Sequence, residues 1–125
     1  MVLGMTMDPT LASHLQELRR GTVVVASLTV LRTPGYGYSL LEMLSVAGFE
    51  VEANTLYPLL RRLETQGLLT SSWNTNETRP RKFYKTTEQG EAIAETLRSE
   101  WARLDRAIAD LGAETPAAIT PGSEK

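Results

Sequence analysis

The sequence predicts a mainly α-helical protein with one small β-hairpin, arranged as a winged helix-turn-helix that is followed by a long C-terminal helix. Three observations predict this fold. Leucines recur at helical spacing from Leu56 to Leu63, two short runs of strand-forming residues come directly after them, and a longer apolar repeat lies near the C-terminus. The order helix, helix, turn, helix, hairpin is the order of the winged-helix fold.

The helix that begins at Asn54 has two different faces. Four leucines lie at i, i+3, i+4 and i+7 and form one apolar stripe that must be buried: Leu56, Leu59, Leu60 and Leu63. The other side and its flanks carry side chains that can contact DNA bases or phosphates: Asn54, Tyr57, Arg61, Arg62 and Thr65. Tyr57 is predicted either as a DNA contact or as a lid on the core. Pro58 is expected in the first turn, and Gly67 as the left-handed residue that ends the helix.

A β-hairpin is predicted directly after this helix. Residues 68–73 and 82–86 are the two strands, and residues 74–81 form a polar loop. Trp73 is expected to pack in the core beside two aromatic residues of the second strand. Three cationic side chains mark the loop and the second strand: Arg79, Arg81 and Lys82. A basic hairpin next to an amphipathic helix is the layout of a wing that straddles the phosphate backbone while the helix enters the major groove.

The distribution of charge supports a nucleic-acid partner, although the whole chain is slightly acidic, with 13 basic against 15 acidic residues. Residues 54–85 hold six basic and two acidic residues, a balance of +4, whereas residues 86–114 hold three and seven, a balance of -4. A positive segment beside an acidic helix can present one face to DNA. The alternative is an ordinary solvated surface, and the helix and wing around these charges favour DNA.

Two more helices are predicted ahead of the recognition helix. Asp8 is a plausible N-cap with Pro9 at the first helical position, and three leucines mark one face of this helix: Leu11, Leu15 and Leu18. Residues 19–21 are expected to interrupt or bend it, and residues 22–32 to continue it as a largely buried segment. Residues 37–47 are predicted as the next helix.

A long helix is expected from Thr87, its N-cap, to the end of an apolar repeat. The apolar residues are spaced 3, 4, 3, 4 and 3 apart: Ala94, Leu97, Trp101, Leu104, Ile108 and Leu111. This spacing is a heptad seam. Because little of the same domain remains to cover the seam, a second copy of the chain is the expected partner. The alternative is packing on the leucine face of the first helix, and both surfaces are expected to contribute to a dimer interface.

Composition argues against several other classes of protein. The chain has no cysteine and one histidine, which rules out disulfides, makes a structural zinc site implausible and leaves no catalytic constellation. No enzymatic activity and no cofactor are therefore expected. No leader or membrane span is recognised, which predicts a cytoplasmic protein. The predicted organisation is a DNA-binding domain over residues 8–86, a dimerisation helix over residues 87–111, and flexible ends at 1–7 and 112–125.

The sequence resembles the PadR family of bacterial transcriptional regulators. The similarity runs over about residues 18–111, through RRGTVVVASLTVL, PGYGYSLLEML, NTLYPLLRRLETQGLL, RPRKFYKTTEQG and the closing helix. The resemblance implies a homodimeric repressor of the small subfamily, with a single C-terminal dimerisation helix. Its two winged heads would bind a palindromic operator, and a small aromatic, phenolic or drug-like molecule would release it from DNA.

The resemblance also implies roles for particular residues. Trp101 stands where some small members stack a planar ligand at the dimer centre, and Asp105 and Val25 complete the implied ligand contacts. The wing strand that matches the family includes Tyr84. The residues implied in DNA binding are Tyr36, Tyr38, Thr55, Tyr57, Arg61, Arg62, Arg81 and Lys82. Asn54 and Arg79 complete the predicted DNA-binding set.

A winged helix that dimerises and binds a partner protein rather than DNA is the alternative function. The two functions differ in the surface that they require. Exposed arginines on the recognition helix and wing favour DNA, whereas an apolar patch there would favour a protein partner.

Overall fold

The computed structural model describes residues 8–76 and 78–118, with side chains up to residue 113. Their elements are four helices and three short strands, which confirms the predicted winged-helix fold with a long C-terminal helix. In chain order they are α1 (Pro9–Val30), β1 (Gly35–Tyr36), α2 (Gly37–Val46), α3 (Ala53–Thr65), β2 (Leu69–Asn74), β3 (Arg81–Thr86) and α4 (Glu88–Ala118). None of the helices in these described residues is long and apolar enough to cross a membrane.

Helix α1 is continuous, so the predicted interruption at residues 19–21 is wrong. Asp8 caps it as expected, because its carboxylate accepts a hydrogen bond from the Leu11 backbone N–H at 3.1 Å. Gly21 is exposed and its neighbourhood is open. A glycine inside a helix costs about 1 kcal/mol relative to alanine, which the hydrogen bonds of the surrounding turns outweigh.

The hydrophobic core lies between α1, α2, α3 and the sheet. Its largest fully buried apolar side chains come from the three helices and the C-cap of α1 and are at most 1% exposed: Leu28, Leu31, Leu40, Leu44, Leu56, Leu60 and Leu63. Three of the four leucines predicted as the stripe of α3 are among them, while Leu59 is only partly buried. The left-handed residue predicted at the end of α3 is also present, since Gly67 has φ +82°.

The three strands form an antiparallel sheet in the order β1-β3-β2. Strand β1 was not predicted, because two residues carry no periodic signal and their pairing with Phe83 and Tyr84 comes from tertiary contact. The prediction that Trp73 lies in the core is wrong. Leu69 at the base of β2 is 2% exposed, but Trp73 near the hairpin tip is 63% exposed because the strand has run past the core by then.

The start of α4 is fixed tightly to the hairpin. The Thr87 hydroxyl accepts from the Gly90 N–H at 3.0 Å and donates to the Gly67 carbonyl at 2.7 Å, so Thr87 is the N-cap as predicted. Gly90 lies against the Leu68 carbonyl with no room for a Cβ. Ala94 is 6% exposed and belongs to the core. It is therefore not on the exposed seam where the spacing had placed it.

The chain divides into two compact units at this point. The first, here called the head, runs to Ala94 and contains the core and the sheet. The second, here called the arm, begins at Glu95 and is the remainder of α4. All but one of the arm's residues with described side chains are exposed. The predicted organisation into a DNA-binding domain and a dimerisation helix stays a prediction. Helix α4 continues to Ala118, so it does not end at residue 111 as predicted, and the flexible end predicted at residues 1–7 lies outside the described residues.

Candidate nucleic-acid interface

Helix α3 presents a polar crest on the side away from its buried leucines. The crest is defined here by the exposed residues Asn54, Thr55, Pro58, Arg61, Arg62 and Thr65. Pro58 is the sixth residue of the helix, so its predicted place in the first turn is wrong. Because Pro58 has no N–H, the Asn54 carbonyl lacks its usual intrahelical donor. Both residues are exposed, which leaves that carbonyl accessible to water.

The two arginines of the crest lie differently. Arg62 lines a groove between α1 and α3, together with Thr55 and Pro58. Arg61 is turned by about 100° from Arg62, away from this groove and toward the side of the helix that faces the hairpin. Arg61 therefore lies on a different part of the crest from Arg62.

Tyr57 lies on the flank of α3 that packs against the start of α2. A Cβ atom added at Gly37 would come within 2.6 Å of Tyr57 Cε1, so the ring packs directly on the Gly37 backbone. Tyr57 is partly buried against the core. Of its two predicted roles, this packing corresponds to the lid on the core.

Tyr36 connects the hairpin to the beginning of α2. Its hydroxyl accepts a hydrogen bond from Asn74 Nδ2 at 2.7 Å. The Arg81 guanidinium carbon lies 3.8 Å from the centre of its ring, and Phe83 meets the ring edge to face at 5.9 Å. Tyr36 is thus engaged by Arg81 and Phe83 at its ring and by Asn74 at its hydroxyl, which makes it a structural element of the wing as well as a predicted DNA contact.

Tyr38 points outward from the first turn of α2. It is 60% exposed. A hydrogen bond to Glu42, reinforced by the charge of that carboxylate, raises the pKa of the Tyr38 hydroxyl above its ordinary value. Because the hydroxyl donates its proton to the Glu42 carboxylate, its oxygen is left to accept a hydrogen bond from another partner.

Lys82 is held by a carboxylate of the recognition helix. Its Nζ lies 3.4 Å from Glu64 Oε1, and 5.3 Å from the centre of the Tyr84 ring. The other oxygen, Glu64 Oε2, accepts from the Ser71 hydroxyl at 2.6 Å. The Ser71 hydrogen bond, with a smaller contribution from the Lys82 charge, lowers the pKa of Glu64. Sequence reasoning missed this contact, because only the docking of the hairpin on α3 brings the three residues together.

The remaining basic residue of the predicted tip, Arg79, lies in the loop between β2 and β3 and is exposed. Arg81 follows at the start of β3, and Lys85 near its end is also exposed. Because side chains alternate along a strand, Arg81 and Lys82 leave the sheet on opposite faces. The wing therefore carries positive charge on both faces and at its tip.

The predicted ligand and dimer residues fall into both units. In the arm, Asp105 is exposed and the apolar side chains are exposed by 39% to 67%: Leu97, Trp101, Leu104, Ile108 and Leu111. In the head, Val25 and Leu15 are half-buried, and Leu11 and Leu18 are 50% and 64% exposed. The part of the chain with defined placement contains no group of three or more residues arranged to hold a metal ion.

A buried three-helix core, a short sheet and a basic hairpin beside a polar helix crest together define a winged helix-turn-helix of the DNA-binding class. The sequence profile described as "Transcriptional regulator PadR-like family" matches residues 27–96. The chain therefore belongs to the PadR-like family, whose members are transcriptional regulators that bind DNA.

Relatives support this assignment. The chain is 45% identical to a PadR family transcriptional regulator from Eggerthella lenta DSM 2243, whose crystal structure superposes with a TM-score of 0.78 over 82% of this chain and 91% of that one. It is 30% identical to a PadR-like transcription factor from Bacteroides fragilis, with a TM-score of 0.67 over 79% and 98% of the two chains. It is also 37% identical over 73 residues to "Transcriptional regulator Rv3488" of Mycobacterium tuberculosis, covering 58% of this chain and 68% of that protein.

Proposed function

We propose that this regulator is a ligand-responsive repressor that binds a palindromic operator as a homodimer. The observation that carries the proposal is the polar crest of α3 beside a hairpin with basic side chains at its tip and on both faces. A helix with such a crest fits the major groove, and a basic hairpin beside it fits the flanking phosphates.

Within this docking, we assign base reading to the crest and backbone contact to the wing. Arg61 can form a bidentate pair with a guanine, while Asn54 and Thr55 lie in the first turn of α3, at the end that enters the groove. Arg79 at the tip contacts phosphate as a point of positive charge. Tyr38, exposed at the start of α2, supplies a further contact to the backbone.

The exposed seam of the arm supports the homodimer. Five apolar side chains at heptad spacing, between 39% and 67% exposed, leave a stripe that a second copy can cover. A two-fold axis through paired arms would present two identical heads to a palindrome. Such heads fill successive major grooves when they lie about 34 Å apart, one turn of DNA.

Ligand response is proposed through Trp101. Two copies of an exposed indole near a two-fold axis form an apolar slot for a planar molecule, and Asp105 one turn later favours a cationic one. Val25 of α1 is proposed as a further contact. A ligand there weakens DNA binding only if it prefers a separation of the heads that differs from the one DNA requires.

The experiment that tests DNA binding is a gel-shift titration of the wild-type protein with the promoter region upstream of its own coding sequence. Arg61→Ala should reduce discrimination between matched and mismatched sites by about 1 to 3 kcal/mol. Arg79→Ala should weaken binding to all sequences and flatten the salt slope by about 0.9. Arg106→Ala, which removes the same charge from the arm, is the matched control and should change neither.

The alternative function, a winged helix that binds only a protein partner, predicts a different result. It requires an apolar recognition surface, and the described crest is polar and basic. Wild-type protein that shifts neither this promoter region nor competitor duplex at low salt would support the protein-binding alternative and overturn the operator proposal.

A further inference from the structure

Glu64 lies in the last turn of the recognition helix α3 and contacts both strands of the wing. Its Oε2 accepts the Ser71 hydroxyl of β2 at 2.6 Å, and its Oε1 pairs with the Lys82 ammonium of β3 at 3.4 Å. The three residues are called the wing clamp below. The clamp connects the two parts of the molecule that must contact the same duplex at the same time.

Charge alone makes Glu64 an unexpected residue for this place. A carboxylate near the end of a DNA-reading helix repels phosphate, and removing it should strengthen binding if it did nothing else. The Ser71 hydrogen bond and the Lys82 charge keep the pKa of Glu64 low, so the carboxylate is ionised at neutral pH. Its negative charge is thus present at neutral pH and is paired with Lys82 in the structure.

Lys82 is correspondingly less available to DNA than Arg79. Its side chain is 30% exposed and that of Glu64 is 34% exposed, so the pair is partly withdrawn from solvent. Its ammonium also lies 5.3 Å from the centre of the Tyr84 ring, on the face of the sheet that packs on the core. To reach a phosphate, Lys82 would have to leave both partners, whereas Arg79 is exposed in the loop.

We propose that Glu64 is a positioning residue for DNA binding, which fixes the angle of the wing against the recognition helix, and that Lys82 is a structural part of this clamp rather than a phosphate ligand. The inference rests on the proposed DNA-binding function, and it removes Lys82 from the predicted set of DNA contacts. Affinity then depends on the clamp because a wing held at one angle reaches the backbone without first being ordered.

The test compares Glu64→Gln, Lys82→Met and Arg79→Met by fluorescence anisotropy on the promoter duplex at several salt concentrations. Glu64→Gln keeps an acceptor for Ser71 and removes the carboxylate charge, and with it the ion pair. It should weaken binding about two- to fivefold, the range expected for a partly exposed ion pair. Lys82→Met should weaken binding by a similar factor and leave the salt slope unchanged. Arg79→Met, the matched control, should flatten the slope by about 0.9.

The charge swap Glu64→Lys with Lys82→Glu separates position from charge, since it keeps the pair and its net charge. The double variant should recover most of the affinity that each single reversal loses. Tighter binding by Glu64→Gln would show that Glu64 competes with DNA. A salt slope flattened by about 0.9 in Lys82→Met would show that Lys82 contacts phosphate. Either result overturns the proposal.

Amide hydrogen exchange in the absence of DNA tests the clamp independently of DNA binding. The hairpin amides of β2 and β3 should exchange faster in Glu64→Gln and Lys82→Met than in the wild type, and at the wild-type rate in Arg79→Met. Equal exchange in all four proteins would overturn the clamp even if DNA binding is established. Faster exchange together with absent DNA binding would overturn the proposed function and leave the clamp standing.

Discussion

The head and the arm use the same kinds of apolar residue at similar helical spacing, but only the head buries them. In α3 of the head, Leu56, Leu60 and Leu63 are at most 1% exposed. In the arm, Leu104 is 45% and Ile108 is 67% exposed. Periodicity therefore identifies a face that must be covered, without stating what covers it. The apolar face in the head is covered by its own chain, whereas the seam of the arm is exposed, and we propose that a second copy covers it.

The largest effect should come from placing a charge on the exposed seam of the arm. Leu104→Asp would bury an unpaired carboxylate in the proposed dimer, at a cost of several kcal/mol. We expect the variant to sediment as a monomer at micromolar concentration, where the wild type sediments as a dimer. The same charge introduced at Ser99, which lies off the seam on α4, should leave the dimer intact. A wild type that is itself monomeric at this concentration would contradict the dimer.

Truncating a leucine inside the head should cost somewhat less and act within one chain. Leu60 is fully buried, so Leu60→Ala should lower the free energy of unfolding by about 2 to 5 kcal/mol through lost burial and a residual cavity. Val46→Ala is the control, because Val46 is 90% exposed and its truncation should change stability by less than about 0.5 kcal/mol. Urea unfolding followed by circular dichroism measures both. Equal losses would contradict the burial described here.

One glycine in the head and one in the arm should respond differently to substitution by alanine. Gly90→Ala in the head would place a methyl group against the Leu68 carbonyl and within 2.8 Å of Thr86 Cγ2. The Leu68 carbonyl belongs to the backbone and cannot move aside as a flexible side chain could. We expect the free energy of unfolding to fall by about 1 to 3 kcal/mol. Gly112 in the arm has open space around it, so Gly112→Ala should leave the unfolding of the head unchanged and add helix content to the arm. Thermal melts of the two variants, compared at equal protein concentration, distinguish these outcomes.

The parts of the fold that the sequence predicted well are those set by local physics. The leucine spacing predicted α3, and the left-handed backbone at Gly67 followed from the residue type that tolerates it. Asp8 and Thr87 were predicted as helix caps because a short polar side chain before a helix can satisfy a free backbone N–H. Each of these depends on residues within a few positions along the chain.

The features that sequence reasoning missed depend on contacts between distant segments. Strand β1 exists only because Gly35 and Tyr36 pair with β3. Trp73 is exposed because the hairpin extends past the core, a length that strand propensity does not reveal. The wing clamp requires α3 to dock against the hairpin, and nothing in the spacing of Glu64, Ser71 and Lys82 indicates it. The basic residues of the candidate interface were readable from the sequence as charge, but the contacts of Lys82 with Glu64 and of Arg81 with Tyr36 were not.

The smallest expected effect concerns the ligand proposed between two arms. Both tryptophans are exposed, Trp73 by 63% and Trp101 by 59%, so both will report on solvent and on dyes. Trp73→Phe therefore isolates the Trp101 signal. Titration of this variant with planar cationic dyes should quench its fluorescence, and Asp105→Asn should weaken that quenching because it removes the nearby negative charge.

Coupling to DNA then decides whether this slot is an inducer site. Allosteric coupling of about 1 to 3 kcal/mol is typical, and we expect the lower end, a reduction of operator affinity of roughly fivefold. The effect should require the paired arms, so Leu104→Asp should abolish both the quenching and the loss of affinity. Linkage adds a second requirement, since operator DNA must weaken dye binding by the same factor. Quenching that leaves operator affinity unchanged would make Trp101 a packing residue of the dimer and locate any inducer site elsewhere.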